Sequence, residues 1–137
     1  MDIFIDNSQP TLEEFIALRS KVGWGETPIQ LAKIAINNSL FHVVARNEKQ
    51  LIGMVRVVGD GAMFFYIQDL IVDPKYQNNG IGNLLMKNVE SYLSEAALKG
   101  STIGLFSASG KEDFYSRFGY KERTGSPLGL GMCKFVL

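Results

Sequence analysis

In 137 residues the chain has one cysteine, one histidine, one tryptophan and four prolines. A lone Cys133 allows no internal disulfide and suits a reducing compartment. His42, the only histidine, excludes any site that needs two, and with one cysteine it argues against a His/Cys zinc site. Neither sign of charge is in excess: Lys plus Arg is 14 and Asp plus Glu is 14. No global field draws the chain to nucleic acid or to an anionic membrane, and neither is expected as a partner. The longest run of large apolar residues, Met63–Ile67, falls far short of the ~20 that a membrane helix needs. Residues 1–6 carry no apolar stretch long enough for a signal peptide. These absences together point to a cytoplasmic protein with no metal.

What is present suits a globular fold. Hydrophobic residues make up 46% and charged residues 20%, enough apolar surface to bury a core. The length is that of one domain, 1–137, and no linker or repeat divides it.

The pattern reads as a short strand, two helices, three strands, a long helix, a strand, a short helix and a final strand. Thr11-Leu12-Glu13-Glu14 has the form of a capping box, and Phe15, Leu18 and Val22 follow at helical spacing. Gly23-Trp24-Gly25 stops that helix. Pro28 opens a second one, with Leu31, Ile34 and Ala35 as its expected buried stripe. Phe41–Arg46, Leu51–Val58 and Met63–Val72 read as an antiparallel meander with turns at 47–50 and 59–61. The half-polar stripe Leu84, Leu85, Asn88, Val89, Tyr92, Leu93, Ala96, Ala97 marks the long helix, ended by Lys99-Gly100. Thr102–Phe106 is a strand, so strand, helix and strand form a βαβ crossover with parallel strands at 63–72 and 102–106. Phe114–Phe118 is a helical turn closed by Gly119. Met132–Leu137 is the expected closing strand, whose exposed edge would allow pairing across a homodimer. The fold class is therefore α/β (α+β), a mixed sheet of meander plus βαβ unit flanked by helices.

The chemistry concentrates where strand 63–72 gives way to Gln77-Asn78-Asn79-Gly80-Ile81-Gly82 and the long helix. A helix start has unpaired N–H groups and a partial positive charge. Glycines at 80 and 82 let a ligand approach the backbone closely. This is an anion site suited to a pyrophosphate. It is neither the dinucleotide fingerprint, which needs a third glycine, nor a P-loop, which needs Gly-Lys-Ser or Gly-Lys-Thr.

The stretch from Gln68 to Met86, an apolar strand, Pro74, then Gln77-Asn78-Asn79-Gly80-Ile81-Gly82 and a helix, resembles the signature motif of the GNAT acetyltransferase superfamily. Phe114-Tyr115-Ser116-Arg117-Phe118-Gly119-Tyr120 resembles that family's second hallmark, a Phe-Tyr-x-x-Phe-Gly turn. The order of elements fits over nearly the whole chain. The resemblance implies an N-acetyltransferase that takes acetyl-CoA as acyl donor and passes the acetyl group to a primary amine of a small molecule or peptide by direct attack. It implies parallel strands that splay apart to admit the pantetheine arm. Leu70, Ile71 and Val72 would offer it backbone groups. Gln77, Asn78, Asn79, Gly80, Ile81, Gly82 and Asn83 would hold the pyrophosphate with their amides. Tyr115 would be the general acid that protonates the leaving thiolate.

Trp24 and Glu26 lie in a loop that, by the same analogy, borders the acceptor cleft. The general base has three candidates, Glu26, Asp69 and His42. Asp69 stands alone as an acid in an apolar strand, where burial raises a carboxyl pKa. Phe106–Lys111 lacks the asparagine that many relatives carry there, and Ser107 or Ser109 would stand in. Two alternatives stay open: a CoA or acyl-CoA binding module without efficient transfer, and a transferase with another acyl donor.

Overall fold

The computed structural model describes residues 2–137, which fall into two units, 2–105 and 106–137. The first unit contains β1 (Ile3–Asp6), α1 (Leu12–Lys21), α2 (Ile29–Asn37), β2 (Phe41–Asn47), β3 (Gln50–Gly59), β4 (Phe64–Val72), a 3₁₀ turn (Pro74–Tyr76), α3 (Ile81–Ala96) and β5 (Thr102–Leu105). The five strands lie in sequence order. β1 through β4 pair antiparallel, and β4 pairs parallel with β5. The meander and the βαβ crossover stand as the sequence pattern predicts.

Strand alternation sends the two faces of β2 to different helices. On one face, Arg46 makes a two-pronged ion pair with Glu14 of α1, and the His42 ring meets the Ile36 carbonyl at the end of α2. Val44 joins Phe15, Leu18, Ala32, Ile36, Leu51, Met54 and Ile71 in the core between sheet and helices. On the other face, Phe41 stacks on Tyr92 of α3 with centroids 4.1 Å apart. Leu85, Met86, Val89 and Leu93 of α3 are fully buried there.

The helix starts and stops follow local chemistry. Thr11 and Glu14 form the full capping box of α1. At its other end the Gly23 N–H donates to Ser20 O and the Trp24 N–H to Arg19 O, with Gly23 at φ +82°. This paired closure is a Schellman motif, which needs the left-handed residue that glycine supplies.

Four expectations are corrected. In α2 the buried residues are Ala32 and Ile36, while Leu31 and Ile34 are exposed. The helix has two apolar stripes, and the one carrying the small Ala32 allows the closer approach to α1 and the sheet. In α3, Leu84 is exposed, and Ile81 and Met86 are buried instead. That helix ends at Ala97, in extended conformation, before Lys99-Gly100 is reached. Finally, Met132–Leu137 forms no strand. A strand exists only with a hydrogen-bonded neighbour, and residues 132–137 join no sheet.

The second unit has one short helix, α4 (Glu112–Ser116), followed by a turn ended by Gly119 at φ +93°. Phe114 packs edge-on against Tyr115 at 5.1 Å and tilted against Phe118 at 5.5 Å. Among the described residues no helix is long and apolar enough to cross a membrane, and no cluster of His, Cys, Asp and Glu could hold a metal ion.

Candidate active site

The sheet opens where β4 outruns β5. The parallel ladder ends at Ile67↔Leu105, whereas β4 continues to Val72 with β3 along its other edge. Leu70, Ile71 and Val72 lie on this overhang. Just before them β4 carries an extra residue: Arg56 pairs with Gln68 but Met54 pairs with Ile71. The bulge is made by Asp69 at φ +60°, a conformation that Asp tolerates better than most residues. A bulge twists the strand and re-aims its side chains.

The bulge also sets the fate of the Asp69 carboxylate. It is fully buried, and its oxygens accept from the Arg19 guanidinium, from Arg56 Nε at 2.7 Å and from Gln68 Nε2 at 3.1 Å. As a candidate base it is therefore already engaged. His42 is engaged too. Its Nε2 lies 3.0 Å from Ile36 O, and a carbonyl only accepts, so Nε2 carries the proton and donates. Burial pushes the His42 pKa below 6.5, opposed by the Ile36 carbonyl and aided by the Arg56 charge. Of the three candidate bases, Glu26 alone is exposed, in the loop between α1 and α2. Trp24, in the same loop, is partly exposed, and the Arg19 guanidinium sits 5.2 Å from its ring centroid.

Past the overhang, Asp73 caps the 3₁₀ turn through the Lys75 N–H. It is almost fully buried and pairs with Lys21 Nζ at 2.8 Å. Burial pushes its pKa up, but the Lys21 bond, the Lys75 N–H and both lysine charges together hold it below the usual carboxylate range. The loop that follows ties itself with its own amides. Gln77 Nε2 donates to Val72 O, and Asn79 Nδ2 donates to Tyr76 O and Gln77 O. Asn78 at φ +66° and Gly80 at φ +77° turn the chain into α3.

No side chain caps α3. Its first internal bond runs from the Leu84 N–H to Gly80 O, so the N–H groups of Ile81, Gly82 and Asn83 have no partner within the helix. This start is held close to the sheet by Gly53 of β3. A Cβ there would stand 3.2 Å from Leu85 Cδ1 and 3.3 Å from both Ile71 O and Ile81 Cγ2. Gly53 is a positioning residue that sequence reasoning missed, although a glycine inside a strand is a known sign of close approach.

Residues 70–72 and 77–83 are thus brought together at one end of β4. Trp24 and Glu26 belong to the same unit, and the Arg19 guanidinium that pairs with Asp69 of β4 also lies against the Trp24 ring. Tyr115 lies in the second unit, half-buried in α4. Ser107 donates its hydroxyl to Ala108 O at 2.7 Å.

Within the first unit the arrangement suits an extended, anionic ligand: a stretch of β4 with a strand neighbour on one edge only, followed by an uncapped helix start. A chain with such a site has known relatives. Residues 26–135 match the model of the acetyltransferase (GNAT) domain. The chain is 30% identical to the chloroplastic GCN5-related N-acetyltransferase 2 of Arabidopsis thaliana, over 87% of this chain and 53% of that one. It is 28% identical to the uncharacterized N-acetyltransferase ycf52 of Porphyra purpurea, over 87% and 70%. It spans only about half the length of the Arabidopsis relative. Among solved structures, the GNAT-family acetyltransferase SP0256 of Streptococcus pneumoniae is 30% identical with TM-score 0.79, covering 98% of each chain. A Staphylococcus aureus protein of unknown function is 29% identical with TM-score 0.90, covering 98% of this chain and all of that one. With its signature motif, its mixed five-stranded sheet and a family match over most of its length, this chain belongs to the GNAT family of acetyltransferases.

Proposed function

We propose that the chain transfers an acetyl group from acetyl-CoA to a primary amine of a small molecule or peptide, acting as one catalytic domain over 1–137. The observation that carries the donor is the overhang of β4 beyond Ile67, which leads into the uncapped start of α3. The pantetheine arm, which carries amides, hydrogen-bonds the backbone of Leu70, Ile71 and Val72 as an added strand would. The pyrophosphate takes the amides of Gln77 to Asn83, where the helix start also supplies partial positive charge. Amide donors of this kind need no particular side chain, only the left-handed turn at Gly80.

The acceptor enters by the loop with Trp24 and Glu26. The Glu26 carboxylate attracts the incoming ammonium, and Trp24 gives an apolar wall. The deprotonated nitrogen attacks the thioester carbonyl carbon, a C–N bond forms and the C–S bond breaks. The ammonium gives its first proton to Glu26 or solvent before attack, the leaving sulfur takes the proton of the Tyr115 hydroxyl, and the nitrogen's second proton passes through solvent to restore that phenol. The compartment is the cytoplasm, where the free Cys133, which is exposed, stays reduced.

A thermal-shift titration with acetyl-CoA, CoA, NAD and ATP tests the donor. Only the two CoA species should raise the melting temperature, since a ligand stabilises the state that binds it. Thiol release over a polyamine, an amino sugar and a lysine peptide then tests the acceptor. No shift with either CoA species would overturn the reading.

A further inference from the structure

Arg19 makes contacts that folding of α1 alone does not require. It sits in the last turn of α1, and its guanidinium reaches the bulge of β4 by pairing with Asp69. The same guanidinium lies against the Trp24 ring at 5.2 Å. Its Nε donates to Thr27 Oγ1 at 3.0 Å, and its carbonyl accepts from the Trp24 N–H at 3.1 Å. Trp24 and Thr27 stand at the two ends of the loop that carries Glu26, and Thr27 directly precedes the Pro28 that starts α2. One side chain therefore ties both ends of this loop to the strand that outruns β5.

Charge balance around the bulge does not demand this arrangement. Asp69 already has Arg56, whose Nε holds the other carboxylate oxygen. Arg56 in turn is fixed by Ser39 Oγ at 3.3 Å and reaches no residue of the loop. Asp69 also receives the Gln68 amide. A second cation on an acid so well satisfied is explained by what else that cation holds. A planar guanidinium can lay its face on an indole while the N–H groups in its plane donate on either side, a combination that a tetrahedral ammonium, which has no flat face, does not offer.

From this geometry we infer that Arg19 is a positioning residue for the acceptor: it holds Trp24 and Glu26 in fixed register with the acyl-donor strand. The inference rests on the acceptor role proposed for that loop. It predicts that loosening Arg19 weakens use of the amine while leaving the acetyl-CoA site, built from backbone beyond Asp69, nearly as it was.

Trp24 is the only tryptophan in the chain, so its fluorescence reports this loop without a label. Three variants separate the contacts. Arg19→Met removes all of them. Arg19→Lys keeps a charge facing Asp69 but loses the planar face and the Nε donor that reaches Thr27. Thr27→Val removes only the bond at the far end of the loop. Arg19→Lys should keep the melting temperature close to that of the unaltered chain, yet raise acrylamide quenching of Trp24 about twofold, as Arg19→Met does. Thr27→Val should give a smaller rise. With spermidine, glucosamine and a lysine hexapeptide tried in turn as acceptors, Arg19→Lys should raise the amine KM about tenfold and leave the acetyl-CoA KM within about twofold.

Unchanged quenching in Arg19→Lys and Thr27→Val would overturn the inference, even if Arg19→Met fails to fold. Raised quenching with an unchanged amine KM would overturn it as well. Trp24→Ala tells that failure from a failure of the acceptor reading. If Trp24→Ala raises the amine KM and Arg19→Lys does not, the loop binds the acceptor and Arg19 does not position it. If neither moves the amine KM, the loop is not the acceptor site.

Discussion

Two loops meet β4, and they are built by opposite means. The loop before α3 is a backbone device. Its carbonyls are taken by Gln77 and Asn79 amides, its turn is made by Asn78 and Gly80 at positive φ, and the N–H groups of Ile81, Gly82 and Asn83 have no partner within the helix that follows. The loop between α1 and α2 is a side-chain device. It is held by Arg19 through Trp24, Thr27 and Asp69. The contrast explains which half of the chemistry a sequence can announce. A backbone site for one unvarying ligand demands glycine at fixed spacing, so it reads as a motif. A side-chain site can be assembled from many residue sets, so it reads as scattered polar residues.

The largest effect should come from neither loop but from a single oxygen atom in the second unit. Tyr115→Phe keeps the ring that packs on Phe114 and removes the hydroxyl proposed as the proton donor. It should lower kcat by roughly 10²–10⁴-fold, the usual range for a general acid. Acetyl-CoA affinity by calorimetry should stay unchanged. Normal turnover would make Tyr115 a packing residue only.

Next in size is the side-chain device at its root. Asp69→Asn preserves the tolerance for positive φ but removes the charge that two arginines share. Both arginines are part-exposed, which lowers the penalty, and urea unfolding should show a loss of about 3 kcal/mol. A loss under about 1 kcal/mol would mean that the two ion pairs contribute no more than surface pairs do.

The backbone device should break differently. Gly80→Val places a β-branched residue at φ +77° with nothing near its Cβ. The penalty is therefore conformational, about 1–2 kcal/mol. CoA affinity should fall about tenfold or more as the turn relaxes, which calorimetry would read directly. The melting temperature should change less than in Asp69→Asn, because that turn is exposed and the bulge is buried.

Much of the fold was legible because its periods were clear. The meander, the crossover helix and the capping box all followed from local pattern. The exposed Leu31 and Ile34 misled because α2 has apolar residues on two faces, and periodicity does not say which face meets the sheet. The missing strand at 132–137 shows the same limit in another form. Apolar, β-prone residues state a preference, but pairing needs a neighbour that no local window contains. The Arg19–Asp69–Arg56 cluster was half legible. An acid inside an apolar strand must find cations once buried, yet nothing in the sequence says that they come from positions 19 and 56. The bulge that aims Asp69 at them was also hidden, since one extra residue leaves no mark in a strand this apolar.

The smallest expected effect is a pH dependence in the same side-chain region. His42 lies on β2, facing Ile36 O, and Arg56 is close enough for its charge to act on the ring. Burial, with that charge, lowers the folded pKa below 6.5. On acidification the unfolded chain takes up the proton first, so it binds more protons than the folded chain in the window just below 6.5. Stability must then rise with pH through that window and fall as pH drops through it. Asp73 and Glu14, both held below their ordinary values, add their own losses only at lower pH, near and below 3.8 and 4.5. Urea unfolding between about pH 7.5 and about pH 5.5 therefore isolates His42 among the groups shifted here. His42→Gln retains an N–H for Ile36 O and cannot titrate, so its stability should be flat across that range. An equal slope in both proteins would assign the acid sensitivity to another group and leave His42 as packing alone.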